Sequence, residues 1–378
     1  MIATKLQVVR KQLGYSAASV IGMMRKRAEM IGETIMQPAS LKTKLSSWEN
    51  GHEQVSLPIY RRLFREIYGR TNEELGFPPE PEDDEVGELR GRLATARNID
   101  SGMIDLFRAQ VENARRVDHR FGGVTVLDQL RSSIEQVEGL LTYSTNTSQR
   151  QALAAVLTDA ATLAGWQALD RAAFRQAWDL HEKAKAAARE AGSSALLAHA
   201  TAQQAFILID IGEVAGAVEQ LAAARALAER TVPPLLRSWL AAAHGEGLAA
   251  IGERDGSLRA FDAANALLPN DPIDTALPFI FLGGAHLDRW RGNALSRLGE
   301  ADAIDQLTGA LPRLPAQQFT RARTGMLVDL AYAHAAAGDR DAAVNYAQQG
   351  RRLALQIKSD RQLRRLGGLI FPAGTRTT

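Results

Sequence analysis

The stretch AGWQALDRAAFRQAWDLHEKA, Ala164–Ala184, decides the fold of the larger part of this chain. Its apolar residues return every three or four positions, which is the period of an α-helix. Small residues at Gly165, Ala168 and Ala177 stand where two helices have to approach each other closely. The stretch therefore predicts a helix, a short turn and a second helix packed against the first.

The same order of residues recurs about five times from Leu153 onward. Another clear copy is AYAHAAAGDRDAAVNYAQQG, Ala331–Gly350. A fixed period of this kind indicates a solenoid in which each helical pair stacks on its neighbours. The corresponding first-helix positions, spaced 40, 40, 47 and 39 residues apart, are Gly165, Ala205, Gly245, Gly292 and Ala331.

The composition indicates an all-α protein of the cytoplasm. The 378 residues are 46% hydrophobic, and β-branched runs are short. Because the chain has no cysteine, it has neither a disulfide framework nor a thiolate metal site. No apolar run reaches the length of about 18 residues that spans a bilayer, and the N-terminus lacks the apolar core of a signal peptide. We therefore expect no membrane partner.

The distribution of charge predicts a small basic domain at the N-terminus. Residues 1–80 hold 12 Lys and Arg against 8 Asp and Glu, whereas the remainder holds 33 against 35. The acidic, proline-containing stretch PPEPEDDEVGE, Pro78–Glu88, separates the two parts and indicates a boundary. The predicted divisions are a basic domain at 1–77, a linker at 78–100, connecting helices at 101–150 and a repeat domain at 151–370.

A second stretch, LKTKLSSWENGH, raises the question of function. Leu41, Leu45 and Trp48 lie on one side at helical spacing, and lysines and small hydroxyl residues lie on the other. Glu49-Asn50-Gly51 ends the helix. We interpret Trp48 as a core residue. The thin polar face is either a solvated surface or a surface shaped to enter a groove of DNA.

The flanking residues predict four further helices in the basic domain. We expect a first helix over Lys5–Leu13 and a longer one over Ser16–Thr34 with Ser16 as N-cap. Gln37–Ser40 is predicted to be a break, with Ser40 as the N-cap of the polar helix. Pro58 is predicted to open the next helix. The ThrAsnGluGlu pattern that begins at Thr71 predicts a capping box and a last short turn.

This arrangement resembles the XRE-type (Cro/repressor-like) helix-turn-helix domain. The resemblance is carried by LSSWENG, Leu45–Gly51, by YRRLFREIYG, Tyr60–Gly69, and by the closing TNEELGF. It implies that the polar helix is the recognition helix of a DNA-binding protein. Implied base contacts are Lys42, Thr43, Lys44 and Ser47, and implied phosphate contacts are Asn50, Arg61 and Arg62.

The remainder resembles tetratricopeptide (TPR) repeats, whose first helices line a concave groove. With the stretch RRVDHRFGG, Arg115–Gly123, the domain order is similar to that of a large family of actinobacterial regulators, and also to peptide-sensing quorum regulators of Gram-positive bacteria. The implied groove residues are Asp159, Trp166, His199, Gln203, Phe206, Trp239, Glu246, His286, Arg289, Trp290, Asn293, Arg297, Asp329 and Tyr332.

These groove residues suit an extended peptide or a small molecule as effector. Arg289, Asn293 and Arg297 share one helical face and are predicted to grip a carboxylate. The alternative is that the aromatic residues pack between the repeats and the charges are solvated. We found no P-loop, HExxH or GxSxG motif, and the seven histidines are scattered. No enzymatic activity, cofactor or metal is therefore expected.

The sequence thus predicts an all-α transcription regulator that binds double-stranded DNA as a homodimer and senses an effector. The alternative is a TPR scaffold whose N-terminal domain binds a protein. A plasmid or phage control protein of the same fold is a third reading. Whether the protein represses or activates transcription does not follow from the residues.

Overall fold

The structure, a computed structural model, describes residues 4–78, 85–122, 126–228, 232–315 and 317–370. It is all-α, and no strand occurs within these ranges. The chain divides into two compact units, Met1–Gly91 and Arg92–Thr378. Helix α6, Glu85–Arg97, spans the division and lies within the predicted linker. Most of the acidic stretch that marked this boundary, residues 79–84, lies outside the described residues.

The N-terminal unit contains the five predicted helices. The capping predictions at Ser16 and Thr71 are confirmed: the Ser16 hydroxyl accepts from the backbone of Ser19, and Thr71 and Glu74 form the capping box. Pro58 opens its helix as predicted. The helices are α1 Lys5–Gln12, α2 Ala17–Met30, α3 Pro38–Glu49, α4 Pro58–Tyr68 and α5 Asn72–Leu75.

Two predicted helix ends in this unit were wrong. Helix α2 stops at Met30 because Gly32 adopts a left-handed conformation with φ of 72°. The predicted break at Gln37–Ser40 is instead the first turn of α3, with Pro38 as its first helical residue. Proline fits that position because its missing N–H has no intrahelical partner there. Ser40 is therefore inside the helix and is not its N-cap.

The C-terminal end of α3 is fixed to α1 by a partly buried ion pair. Glu49 is 4% exposed and accepts two hydrogen bonds from the Arg10 guanidinium, at 2.5 and 2.8 Å. The Thr4 hydroxyl also donates to the Glu49 carbonyl oxygen at 2.7 Å. Trp48 is 6% exposed and packs edge-on against Phe64, which confirms it as a core residue. These contacts hold the orientation of α3.

The second unit begins with α7, Ser101–Phe121, and α8, Leu127–Tyr143, and then stacks five antiparallel pairs of helices in a TPR-like manner. The pairs and the final helix are α9 Thr147–Asp170 with α10 Phe174–Glu190, α11 Ser194–Ile211 with α12 Val214–Ala228, α13 Pro234–Ala250 with α14 Arg254–Leu267, α15 Ala285–Leu298 with α16 Asp302–Ala310, α17 Thr320–Ala336 with α18 Arg340–Gln356, and α19 Asp360–Gly367.

Glycine in the first helix of a pair makes room for a large side chain in the second. Interiors are packed too densely to hold both a Cβ and that side chain without a shift. This explains why small residues recur at the predicted spacing. A Cβ atom added at Gly165 would lie 2.8 Å from the side chain of His181. One added at Gly245 would lie 2.8 Å from Phe261, and one added at Gly292 would lie 2.6 Å from Leu307.

The first and last parts of the repeat unit meet each other. Helix α7 packs on α9 and α17, and α19 packs on α9. Arg321 of α17 pairs with Asp118 of α7 and with Asp170 of α9, and the Ser359 hydroxyl donates to Asp170 at 2.7 Å. The concave face of the repeats is therefore partly closed into a cavity, where the sequence predicted a groove.

Helix α9 is long and apolar enough, by length and composition, to cross a membrane. However, 78% of its most apolar window is buried against its neighbours within the repeat unit. A buried core helix passes the same test as a membrane span, and the packing of α9 accounts for its apolar composition.

Replacing His181 by leucine is expected to stabilise the repeat unit. His181 is fully buried, and neither ring nitrogen has a hydrogen-bond partner among the described residues. Such an unsatisfied group costs about 1–3 kcal/mol. Leu307 shows that leucine fits opposite a glycine of the first helix. Urea unfolding at pH 7 should give a free energy of unfolding higher by about 1 kcal/mol.

The same variant is expected to be less sensitive to acid. Burial lowers the pKa of His181 to about 3 in the folded chain, whereas the unfolded side chain titrates near 6.5. Protons then bind the unfolded state preferentially, so stability falls as pH decreases from 6.5 towards 3. His181→Leu should flatten this part of the profile of stability against pH. If the free energy of unfolding changed with pH equally in His181→Leu and in the wild type, the lowered pKa of His181 would be contradicted.

Candidate functional site

The exposed face of α3 is narrow and polar. Thr43, Ser46 and Asn50 are exposed along one line of the helix, and Lys42 is exposed beside them. The three apolar residues predicted to anchor the helix are buried on the opposite side. No large side chain lies on the exposed line, so a groove could approach the helix backbone. Ser46 was not among the predicted contacts, although helical spacing from Thr43 and Asn50 identifies it.

The four predicted base contacts differ in how free they are. Lys42 has no hydrogen bond or ion pair with another described residue. The Thr43 hydroxyl donates to the backbone carbonyl one turn earlier at 3.3 Å. Lys44 is half-buried, and its Nζ pairs with Glu53 at 2.6 Å. Ser47 is half-buried at the edge of the polar face.

The three predicted phosphate contacts all have intramolecular partners. Asn50 Nδ2 donates to the backbone carbonyl four residues earlier at 2.8 Å. Arg61 Nε donates to the carbonyl oxygen of Val55 at 2.6 Å, so this guanidinium anchors the loop after α3. Arg62 pairs with Glu66 at 3.0 Å. Of these bonds, the Arg62–Glu66 ion pair lies at the surface, where such a pair contributes little and exchanges at small cost.

The second candidate site is a cavity of about 210 Å³ inside the repeat unit. Helices α7, α9, α11, α13, α15, α17 and α19 all contribute side chains to its wall. Every predicted groove residue except one lies in this wall, namely Asp159, Trp166, His199, Gln203, Phe206, Trp239, Glu246, His286, Arg289, Trp290, Asn293, Arg297 and Asp329. The exception, Tyr332, lines an adjoining cavity.

Aromatic rings form a continuous part of the cavity wall. Phe206, Trp239 and Trp290 are at most 9% exposed and pack edge-on in the core between repeats. For these three, the alternative of packing between repeats accounts for most of their surface. Trp166 is only half-buried, and the guanidinium groups of Arg321 and Arg361 lie over its ring, 5.6 and 5.4 Å from the ring centroid. Its remaining surface faces the cavity.

A loop that the sequence reading missed supplies two more rings. The longer spacing of 47 residues between the third and fourth repeats corresponds to the non-helical segment between α14 and α15. Ile280 and Leu282 anchor this segment in the core, at 5% and 0% exposure. Phe279 then lies 4.3 Å from the ring of His199, and Phe281 lies 4.6 Å from that of His119. The anomalous spacing and the apolar run PFIFL were the signals available in the sequence.

Most charges in the cavity wall are paired with one another. Arg365 donates to Asp329 at 2.6 Å, and Asn293 donates to the same carboxylate oxygen at 2.7 Å. Asn293 is therefore not available for the predicted three-residue grip on a ligand. Arg361 donates to both carboxylate oxygens of Asp210, to one of them at 2.8 Å. The remaining pairs are Arg115 with Asp159 and Arg321 with Asp118 and Asp170.

Three charged side chains in the wall have no such partner. Arg289, Arg297 and Glu246 make no hydrogen bond or ion pair with another described residue. Arg289 Nε is sealed from solvent without an acceptor, and so is Gln203 Oε1 without a donor. Burial lowers the pKa of Arg289 and raises that of Glu246, the opposite group partly offsetting each shift. Arg297 is exposed and Glu246 is half-buried, so only Arg289 Nε and Gln203 Oε1 are both sealed from solvent and unsatisfied in this group. Such atoms are rare in folded proteins and are open to a partner.

The histidines of the wall act as neutral rings at physiological pH. Burial lowers the pKa of His119 and His286 to about 3 and that of His199 well below its ordinary value. Nearby arginines lower each of them further. A neutral imidazole offers one donor, one acceptor and an aromatic face. The cavity therefore owes its positive charge to arginine alone.

The stretch RRVDHRFGG contributes three side chains that the groove prediction missed. Arg115, Asp118 and His119 all point from α7 into the cavity wall. They escaped prediction because α7 precedes the repeats and was read as a connector. Asp118 is fully buried, which raises its pKa to about 6 despite the opposing charge of Arg321.

The comparisons with known proteins add little to this geometry. No family model and no curated protein matches the chain. BtubC (BKLC) from P. vanneervenii is 15% identical over 67% of this chain and 94% of its own, with a TM-score of 0.42. TPR-like repeats of a kinesin light chain from P. anserina are 16% identical over 52% and 94%, with a TM-score of 0.35. At this similarity, no functional property transfers to this chain.

Proposed function

We propose that the protein is a sequence-specific DNA-binding transcription regulator of the cytoplasm, whose repeat unit senses an effector. The observation that carries the proposal is the exposed face of α3, which is polar, free of large side chains and held from behind by Trp48 and the Arg10–Glu49 pair. A helix of this shape suits the major groove, where side-chain tips reach base edges. The resemblance to XRE-type domains supports the same assignment.

The effector role rests on the cavity. Its wall combines aromatic rings with charged groups that lack partners, which is the composition of a ligand site. The cavity is smaller than the range of about 300–1,000 Å³ for drug-sized ligands. This size favours a small molecule over the extended peptide that the sequence left open.

We also propose that the regulator acts as a homodimer through its repeat unit. Helix-turn-helix dimers bind two half-sites about one helical turn apart, so a ligand that shifts the two DNA-binding units changes the affinity. No described contact bears on this dimer. Sedimentation of the full chain would measure it, and a monomer at concentrations that saturate DNA would contradict it.

The test of the proposed function is selection of DNA by the full chain from random-sequence duplexes. We expect enrichment of one motif, arranged as an inverted repeat with half-sites about 10 base pairs apart. Recovery of sequences indistinguishable from the starting pool would contradict sequence-specific binding. The scaffold alternative, in which α3 meets a protein, would then be the better account of this unit.

A further inference from the structure

Two arginines of the cavity wall are available to bind an anionic ligand. Six arginines line it, and four of them are paired with carboxylates. The two that remain, Arg289 and Arg297, face a single unpaired carboxylate, Glu246. Among these three unpaired side chains, two guanidinium groups stand with one carboxylate, which is a local excess of one positive charge. The paired arginines do not add to it, since Arg321 alone meets two carboxylates. A carboxylate suits this position because its two oxygens match the planar fork of arginine.

The same wall also contains acceptor oxygens to which a ligand could donate a hydrogen bond. Glu246 has no donor among the described residues, and Gln203 Oε1 is sealed from solvent without one. Both groups offer only acceptor oxygens at these positions when Glu246 is ionised. An N–H or O–H group on the ligand would satisfy them. An anion without a donor would leave Gln203 Oε1 unsatisfied.

The size and lining of the cavity define the body of the ligand. The volume of this partly open cavity is about 210 Å³. The half-buried rings of Trp166, Phe279 and Phe281 face this space and suit offset or edge-on stacking against a flat ring. A volume below the range of about 300–1,000 Å³ for drug-sized ligands, lined by such rings, favours a ligand with a single aromatic or indole ring.

A wider, basic cavity adjoins the inner cavity. It has a volume of about 450 Å³ and shares Arg297, Arg361 and Arg365 with the inner cavity. Arg364 adds a fourth guanidinium, and Asp210 is the only acidic residue among the described residues of its lining. Like-signed charges around a concave opening attract counter-ions and steer them inward.

We infer that the inner cavity binds a small aromatic carboxylic acid that carries an amino or hydroxyl donor. Its carboxylate binds Arg289 and Arg297, its donor binds Glu246 and Gln203, and its ring lies against Trp166 and the loop phenylalanines. The inference rests on the proposed sensing role of the cavity, and it is independent of DNA binding by α3.

The test uses the full chain without DNA. The probes are the three aminobenzoates and tryptophan, each beside the carboxamide that lacks its carboxylate charge, and benzoate as an acid without a donor. We expect at least one acid to bind with a measurable Kd by calorimetry and to raise Tm, while its carboxamide does neither. If none of the acids binds at millimolar concentration, or if the carboxamides bind equally well, the inference is overturned.

Two variants locate the bound acid. Arg289→Met should weaken its binding about 30-fold, the loss of a charge-assisted hydrogen bond. Its own Tm should hardly change, because Arg289 has no hydrogen bond or ion pair to lose and only a cation–π contact with Trp290 at 5.8 Å. Glu246→Gln should reduce the preference for the acid that carries the amino group over benzoate by about 10-fold. Unchanged binding in both variants would place the acid elsewhere and overturn the inference. Should Arg289→Met fail to fold, the Glu246→Gln comparison decides alone.

Failure of this test and failure of the proposed function are distinguishable. If the chain binds the acid through Arg289 but selects no DNA motif, the ligand site stands and the proposed DNA-binding function is contradicted. A chain that selects a motif but binds no aromatic acid retains the DNA-binding role and loses this ligand class.

Discussion

A Lys42→Glu chain is expected to bind its selected DNA duplex about 100-fold more weakly than the wild type, equivalent to about 2.7 kcal/mol. Lys42 is exposed on the polar face of α3 and has no intramolecular partner to release. The substitution removes a donor to base or phosphate oxygens and places a negative charge against the duplex. Fluorescence anisotropy with a labelled duplex measures the loss.

The control for this variant is Arg175→Glu, which makes the same change in net charge at an exposed position of a repeat helix. It should leave the affinity for DNA within about twofold, since distant exposed charges are screened by salt. Both variants should unfold like the wild type. Equal loss in the two variants would mean that only the total charge of the chain attracts DNA, and that α3 has no special role.

Arg321→Met is expected to lower the free energy of unfolding of the repeat unit by about 3–5 kcal/mol. Its guanidinium is the partner of Asp118 and Asp170, which are 1% and 6% exposed at their side chains. Removing it leaves two buried carboxylates without the guanidinium that binds both of them. Because these residues join α7 and α9 to α17, the cavity should open as well. Urea unfolding followed by circular dichroism measures the stability.

The matched control is Arg313→Met, which removes an arginine from an ion pair with Asp288 at the surface, where the side chains are 51% and 33% exposed. The expected cost is below about 1 kcal/mol. Adding Asp118→Asn and Asp170→Asn to Arg321→Met should recover much of the lost stability, because no carboxylate is then left unpaired. If Arg321→Met were as stable as Arg313→Met, the closure of the repeats would not depend on these ion pairs.

The repeat fold was predictable because it depends on the local periodicity of the sequence. Small residues every 40 or so positions, opposite large ones in the next helix, identify the helix pairs directly, as Gly165 and His181 illustrate. Helix ends were less predictable. The Ser40 side chain has the chemistry of an N-cap, but Pro38 starts α3 one turn earlier because a proline is already set for a first turn.

The cavity was predictable only in part, for a physical reason. Residues such as Trp239 and Glu246 follow from the inward positions of repeat helices, which are fixed by local spacing. Closure by α7 and α19 depends on contacts such as that of Arg321 with Asp118, which are 203 residues apart. No local pattern encodes such a pairing. The same is true of Phe279 and Phe281, which reach the cavity from a loop.

The most direct test of DNA recognition by α3 is the anisotropy of the full chain with its selected duplex and with a scrambled duplex of equal composition, over a series of salt concentrations. We predict that the selected duplex binds at least about 1,000-fold more tightly. Both affinities should fall as salt increases, because phosphate contacts release counterions. Equal affinities for the two duplexes at every salt concentration would contradict the account, since only a basic surface would then be binding DNA.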